Sequence, residues 1–527
     1  MQLVSIKVKH FRSLYETEWI LFHDLTVLIG ENDGGKTATL DTLEIFLGNR
    51  QPDSEDFSYV PGSTPDAQGI IPHEQEMLIE GKFTFTDSEK AEVSRYAPLQ
   101  DRYLHVLKRF SSGAQPEFFV VGQVPIDQRL RIDLESAKIA DLRNLARALD
   151  LQVGGTATQP FIDAIRTFKN TQPTTEGTVP FPNSIKAFLP EFTRFNSASD
   201  PTSVLSGVLR TIFKQELEKP ENSGHLTEVQ KNITLKLRQE AAALNPFVQK
   251  YRPEVKSVSV NPEFNFESGF RTTELRLQDQ NDRPILLEKC GTGVQKHITL
   301  AVYEWNSEIL KKRQTEGART LVLALDEPDT SLDYQSQRKL FDIIQGFVGP
   351  LVQVVICTHS MNLINRVPVE KLNYYTLDTT RTKSSVESFI PDSNNLEEAD
   401  FFLYRLGDGL GLHHALMFYE RCFLLFEGKT EETAIPIIFK LCTGQHPYTK
   451  GVRIVNSYDN YGAVVFAKFL HKHKRKVVFA VDQDTTRNKG VGRHLTQDDL
   501  NKAGFNIPHQ VHLICPDHFE YSFSNEV

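Results

Sequence analysis

The sequence predicts an α/β fold in which a large domain, interrupted by a helical insertion, precedes a smaller α/β domain. Three observations carry this. Leu25–Ile29 is an apolar run that ends on the glycine-rich stretch 30–37 and is followed by the helix-forming Ala38–Phe46. Leu321–Leu325 and Val352–Ile356 are apolar runs of strand length ending on Asp326 and just before Thr358. Far downstream, Phe423–Phe426 and Val477–Val481 end on Glu427 and Asp482. Continuous rather than alternating hydrophobicity marks strands covered on both faces, as in parallel sheets, whose ligands collect at the strands' carboxyl ends.

In chain order, Leu3–Val8, Leu25–Ile29, Met77–Phe85 and Tyr103–Phe110 read as strands separated by turns, giving a first part over 1–150. From Ser136 to Tyr251 the pattern becomes helix-like, in Ser136–Leu149, Ser203–Leu217 and Leu226–Tyr251, broken by a Thr-, Pro- and Gly-containing stretch near Gln172–Pro182. The expectation is a helical insertion over 151–256. Strand patterning resumes at Ser257–Val260 and Thr273–Leu277, and the large domain closes over 257–395. The acidic, Asn-rich turn Asp392–Asp400 opens a helical connector over 396–420, leaving 421–527 as the second domain.

With 527 residues, 39% hydrophobic and 24% charged, the chain has the composition of a globular protein of about two to four domains. No apolar run reaches the length of about 18 residues that a membrane span requires, and the amino terminus lacks a signal-peptide core, so neither membrane nor secretion is expected. Cys290, Cys357, Cys422, Cys442 and Cys515 are an odd set without metal-ligand spacing, which points to free thiols in a reducing cytoplasm. The net charge of −9 argues against coating nucleic acid by bulk electrostatics. Residues 421–527 nevertheless hold 14 Lys and Arg against 11 Asp and Glu. His471–Lys476, reading HKHKRK, stands just before the run that delivers Asp482, and is either a solvated helix end or a phosphate-backbone contact.

Gly30, Glu31, Asn32, Asp33, Gly34, Gly35, Lys36 and Thr37 fit the Walker A spacing. Asn32, Gly34 and Gly35 let backbone amides wrap phosphates, Lys36 brings charge to the β and γ oxygens, and the Thr37 hydroxyl is placed for Mg²⁺. Asp326, Glu327, Pro328 form a Walker B pattern: Asp326 for Mg²⁺, Glu327 to polarise the attacking water. Ser331, Leu332 and Asp333 follow, and the next apolar run delivers His359 towards a γ-phosphate. Upstream, Gly291, Thr292, Gly293, Val294 and Gln295 open a helical stretch. Glu427, Glu431, Asp482 and Asp484 form a second acidic constellation, of the kind that holds hard cations such as Mg²⁺.

Taken in order, these motifs resemble ABC-type ATPases of the chromosome-maintenance and recombination-repair branch, with GTGVQ as a degenerate signature loop and Thr292 in the usual Ser position. That resemblance implies an ATP-sandwich dimer in which Thr292, Gly293 and Gln295 reach the partner's ATP, with Asp333 in the D-loop. Glu427 to Glu431 followed by Asp482 and Asp484 resembles a Toprim domain. It implies Glu427 in acid/base or metal roles, Asp482 and Asp484 on a divalent cation, and Glu431 and Glu520 as further ligands. The metal is Mg²⁺, with Mn²⁺ or Ca²⁺ as alternatives.

The pairing resembles the OLD (overcoming lysogenisation defect) family of nucleases. It implies metal-dependent DNA cleavage, double-stranded DNA as partner, a homodimer or larger assembly through the helical insertion, an accessory defence protein or RNA, and a part in defence against phage. Where the family carries paired glycines after the second Toprim strand, this chain has Asn456–Gly462. The sequence ends seven residues after Glu520, which implies a minimal Toprim domain or a shortened chain. The alternative function is an ATP-driven sensor or scaffold whose Toprim domain binds without cutting.

Overall fold

A computed structural model describes residues 1–196, 226–388, 416–456, 475–481 and 511–513, apart from short stretches within them, together with isolated positions between. The chain divides into two compact units, Met1–Leu363 with Lys371–Ser388, and Ile364–Glu370 with Phe389–Val527.

The first unit begins with β1 (Gln2–Phe11), β2 (Leu14–Glu16), β3 (Ile20–Leu21) and β4 (Leu25–Gly30), then α1 (Lys36–Leu47). β5 (Glu76–Thr84), α2 (Asp87–Tyr96), β6 (Leu104–Ser111), β7 (Glu117–Pro125), α3 (Ile139–Ala148) and α4 (Gln159–Asn170) follow. Next come β8 (Thr174–Pro180), β9 (Glu191–Asn196), α5 (Leu226–Ala242), α6 (Asn245–Tyr251), β10 (Val255–Asn265), β11 (Gly269–Asp279) and β12 (Pro284–Leu286). The unit closes with α7 (Thr292–Lys312), β13 (Leu321–Asp326), α8 (Tyr334–Phe347), β14 (Val352–Cys357), β15 (Leu372–Leu377) and β16 (Ser384–Ser388).

Two sheets dominate it. One runs β2-β1-β5-β6-β7-β8, with β3 also on β1, and its pairings are antiparallel. The other runs β16-β15-β4-β14-β13-β9 and is parallel except for β16. All six residues of β4, of β13 and of β14 are buried, the expected outcome for continuous apolar runs in a sheet covered on both faces. A core of Ile6, Val8, Leu40, Leu43, Phe46, Ile79, Phe83, Val322, Val355 and Tyr375 fills the space between the sheets and around α1. Gln353 on β14 joins them, donating from Nε2 to the Leu3 carbonyl at 2.8 Å and accepting at Oε1 from the Leu3 amide at 2.8 Å.

The expected helical insertion over 151–256 is not a helical block. Within it β8 extends the antiparallel sheet beside β7, and β9 pairs in parallel with β13 from Leu321↔Glu191 to Asp326↔Asn196. Short polar strands such as TTEGTVP carry no apolar periodicity, and β9 is held by its register with a buried neighbour rather than by its own pattern. Helices α5 and α6 pack with β10, β11 and α7 into a separate core around Leu237, Leu244, Val248, Leu275, Ile298 and Trp305.

Lys108 on β6 is buried, and its ammonium donates to the Ile45 carbonyl of α1 at 2.6 Å. Burial, helped by the like charge of Lys186, pushes its pKa down to about 8. The folded chain therefore releases this proton near pH 8, whereas the unfolded chain holds it to about 10.4. Between those limits unfolding takes up a proton, so stability rises with pH. Lys108→Met should remove the Lys108 share of that slope between about pH 8 and 10, measured by urea unfolding across the window; an unchanged pH slope refutes the assignment.

The second unit holds β17 (Cys422–Phe426), α9 (Lys429–Thr443), β18 (Val452–Asn456), β19 (Lys476–Val481) and β20 (Val511–Leu513). They form a parallel sheet in the order β18-β17-β19-β20. No helix of the described residues is long and apolar enough to cross a membrane.

Candidate nucleotide and metal sites

The loop after β4 is shaped by backbone conformations that side chains resist. Gly30 has φ +138°, and a Cβ there would lie 2.1 Å from the Tyr375 carbonyl oxygen on β15. Gly35 has φ +102°, and a Cβ would meet Ser384 Oγ at 2.8 Å. Both demand glycine, and so the chain can fold back tightly over the strand end. Gly35 caps α1 without a side-chain bond, leaving the helix's amino end open, a place that favours anions.

Lys36 is buried, and its ammonium donates to two neutral acceptors, the carbonyls of Gly30 at 3.1 Å and Glu31 at 2.7 Å. Burial lowers its pKa, while Cys357, Glu327, Asp33 and Asp326 act in the opposite sense. A buried cation folded onto loop carbonyls beside an open helix end fits a phosphate group. On the same loop Asn32 is exposed and Gly34 is buried, and Thr37 is exposed in the first turn of α1. Lys36→Ala should raise the dissociation constant for ATP by about 30-fold or more, since it removes a charge-assisted contact. Titration of a fluorescent ATP analogue measures this, and unchanged affinity refutes it.

Asp326 ends β13 two strands away. Glu327 follows with φ +48°, a left-handed conformation for a non-glycine residue, anchored by its amide donating to the Cys357 carbonyl at 2.8 Å. Such backbone costs about 1–3 kcal/mol and tends to occur where function requires it. Thr330 Oγ1 donates to Glu327 Oε2 at 3.2 Å, and Thr358 Oγ1 donates to Asp329 Oδ1 at 2.6 Å. His359 is half-buried; burial and then Lys36 lower its pKa, against the pull of Glu327 and Asp329. Lys36, Glu327 and His359 thus share one electrostatic neighbourhood at the carboxyl ends of β4, β13 and β14. The exposed Thr37 hydroxyl and the Asp326 carboxylate are the groups there that suit Mg²⁺.

Thr292 and Gly293 open α7, Thr292 exposed. Gln295 is turned inward: its Nε2 donates to the Cys290 carbonyl at 3.0 Å and to that of Leu287 at 3.3 Å. Lys296, one residue on, donates to the Thr330 carbonyl and so fixes this helix against the turn after Glu327. Asp333 is exposed and caps α8, accepting from the amides of Gln335 and Ser336, each at 3.0 Å.

Sequence reasoning did not single out Arg194, Asp41 or Arg12. Arg194, on β9, donates from Nη2 to Asp326 Oδ2 at 2.6 Å and from Nη1 to Asp41 of α1. Arg12 donates to the other Asp41 oxygen at 2.5 Å and pairs with Asp56 at 2.7 Å. An arginine in a stretch read as helical offers no signal; recognising β9 as a strand beside β13 would have supplied one.

In the second unit β17 and β19 are parallel neighbours in register, Phe426 opposite Ala480. Positions 427 and 482 follow these strands within one residue of their ends, but Glu427, Asp482, Asp484 and Glu520 lie outside the described residues. Glu431, in the first turn of α9, is buried, and its carboxylate packs under Gly428, where a Cβ would meet Oε2 at 2.4 Å. Asn456, ending β18, donates to Glu432 at 3.2 Å. Among the described residues no three His, Cys, Asp or Glu side chains gather as a metal group. Of the basic run, Arg475 and Lys476 are described, Lys476 opening β19.

Two family models match the chain: an AAA ATPase domain over residues 1–153 and 159–364, and an overcoming lysogenization defect protein-like TOPRIM domain over 418–484. The Old nuclease of Escherichia phage P2 is 20% identical over 485 residues, covering 88% of this chain and 74% of that protein. The OLD nuclease of Thermus scotoductus is 24% identical over 366 residues, covering 68% of this chain and 59% of that protein. Among solved structures, the Smc head bound to the C-winged helix domain of ScpA aligns at 14% identity with a TM-score of 0.42, over 76% of this chain and all of that one. The SMC head domain from Thermotoga maritima aligns at 14% identity and a TM-score of 0.35, over 74% of this chain and all of that one.

Proposed function

Because the chain belongs to the OLD family, in which an AAA ATPase domain is joined to a TOPRIM nuclease domain, we propose that it is an ATP-regulated, divalent-metal-dependent DNA endonuclease. The observation that carries this is the in-register parallel pairing of β17 and β19, which ends both strands beside the acidic positions 427 and 482. A ligand site at the carboxyl ends of adjacent parallel strands is the expected place for such acids.

In the first unit, Lys36 leaves its loop carbonyls to neutralise the β and γ phosphate oxygens, and the open amino end of α1 receives the remaining charge. Glu327, held by its strained backbone, orients and polarises the attacking water; His359, kept neutral by its surroundings, donates to the γ-phosphate. Thr37 and Asp326 would hold Mg²⁺, which when bound would supply charge neutralisation to the phosphates. Thr292, Gly293 and Asp333 face a second copy of the chain in an ATP-closed dimer; Gln295 keeps their loop in shape.

In the second unit Glu427, Glu431, Asp482, Asp484 and Glu520 form the metal-binding set, with Glu427 also in acid/base roles. Mg²⁺ or Mn²⁺ there provides Lewis acidity at the scissile phosphate. The basic residues 471–476 contact the DNA backbone beside it. We infer a part in defence against phage, for which the family resemblance is the support.

The test is plasmid cleavage by the full chain with Mg²⁺, Mn²⁺ or Ca²⁺, with and without ATP. Metal-dependent nicking or linearisation is expected. Absence of cleavage under every condition overturns the nuclease reading and leaves an ATP-driven binding protein.

A further inference from the structure

The acid at the end of β13 has a partner of its own. Arg194 lies on β9, in parallel register with β13, so that Arg194 is opposite Ala324 and its side chain reaches Asp326 two residues further along. Its guanidinium bridges Asp326 and Asp41, and the side chains of all three are only 12–13% exposed. Asp41 belongs to α1, the helix that follows the phosphate loop, and its second oxygen is taken by Arg12 at 2.5 Å. Arg12 in turn pairs with Asp56, which also receives Arg50 at 2.8 Å. The result is an alternating row of charges from the nucleotide site to the 53–56 turn: Asp326, Arg194, Asp41, Arg12, Asp56, Arg50.

We propose that Arg194 is a positioning residue that sets how strongly the nucleotide site takes up Mg²⁺, by sharing the Asp326 carboxylate with the metal. A guanidinium fork holds two carboxylates in one plane, so Asp326 is kept in a single orientation at the strand end. The same fork withdraws part of the charge that Asp326 offers a cation. Asp41 modulates this from the other side, because the negative charge it gives Arg194 relieves the demand on Asp326. Loss of Arg194 then strengthens Mg²⁺ uptake, and loss of the Asp41 charge weakens it.

The proposal rests on the reading of 30–37 and 326–327 as an ATP site, and the test separates the two. Binding of a non-hydrolysable fluorescent ATP analogue is followed without metal and as Mg²⁺ is added, for the full chain and for Arg194→Met, Arg194→Lys and Asp41→Asn. Metal-free binding should stay within about twofold of wild type in each variant, because Lys36 and the loop are intact. The Mg²⁺ midpoint should fall about fivefold in Arg194→Met and rise by a similar factor in Asp41→Asn, the scale of one part-buried charge partner. Arg194→Lys, with a point charge in place of a fork, should fall between Arg194→Met and wild type. A purely structural role would lower the melting temperature of all three variants without shifting the midpoint in opposite senses. Midpoints of Arg194→Met and Asp41→Asn both within twofold of wild type, or shifts of one sign, overturn the proposal. If Arg194→Met does not fold, Arg194→Lys and Asp41→Asn carry the same opposite-sign test. A wild-type chain that does not bind the analogue overturns both this proposal and the ATP-site reading; binding with an unmoved midpoint overturns this one alone.

Discussion

Glu327→Gln should lower ATP turnover by about 10³-fold while ATP stays bound, a loss within the range that a positioned general base contributes. The substitution keeps the side chain's size and its ability to accept from Thr330 Oγ1, and removes only the charge and basicity. The backbone is held independently of the carboxylate, by the Glu327 amide on the Cys357 carbonyl, so the left-handed turn survives the change. Phosphate release under single-turnover conditions, beside equilibrium binding of ATP, measures the two effects separately. Because ATP is bound and not consumed, the variant should also accumulate as the ATP-closed dimer in size-exclusion chromatography. Turnover within tenfold of wild type would remove Glu327 from the mechanism.

Asp482→Ala should abolish metal-dependent DNA cleavage, by about 10³-fold or more, since a catalytic divalent ion contributes several kcal/mol and each 1.36 kcal/mol is a factor of ten in rate. ATP hydrolysis should change little, because the nucleotide loop and the strand end of Asp326 belong to the other compact unit. Position 482 follows directly on β19, which pairs in parallel with β17, the strand leading to position 427. Glu427→Ala should therefore resemble Asp482→Ala in a plasmid-nicking assay at saturating Mg²⁺. Cleavage by Asp482→Ala at a rate near that of wild type would move the metal site elsewhere in the chain.

Much of the nucleotide site was legible as text. Walker A and Walker B are local motifs, each an apolar strand plus a short loop whose chemistry is carried by neighbouring residues, so Lys36, Asp326, Glu327 and His359 could be named before any fold was known. The acids of the smaller domain are proposed from the same kind of local pattern, and Glu427, Asp482, Asp484 and Glu520 lie outside the described residues. What could not be read were residues whose importance depends on a neighbour far away in sequence. Arg194 is 132 residues from Asp326 and 153 from Asp41, and only the pairing of β9 with β13 brings them together. Gln295 and Asp333 carry a second task that the letters do not show: Gln295 clamps its own loop and Asp333 caps α8.

The order of motifs along the chain was enough to establish an ATPase followed by a smaller TOPRIM α/β domain, because buried parallel strands and phosphate loops depend on contiguous residues whose hydrophobicity and backbone freedom are visible in the letters. Strand order, the entry of 174–180 and 191–196 into the two sheets, and the ion-pair row through Asp326 came from packing alone. A short polar strand such as 174–180 has no hydrophobic period to announce it, a six-residue strand such as 191–196 is too short for its two phenylalanines to set one, and a part-buried arginine is stable only where opposing carboxylates meet it. These conditions are properties of the folded neighbourhood rather than of the segment.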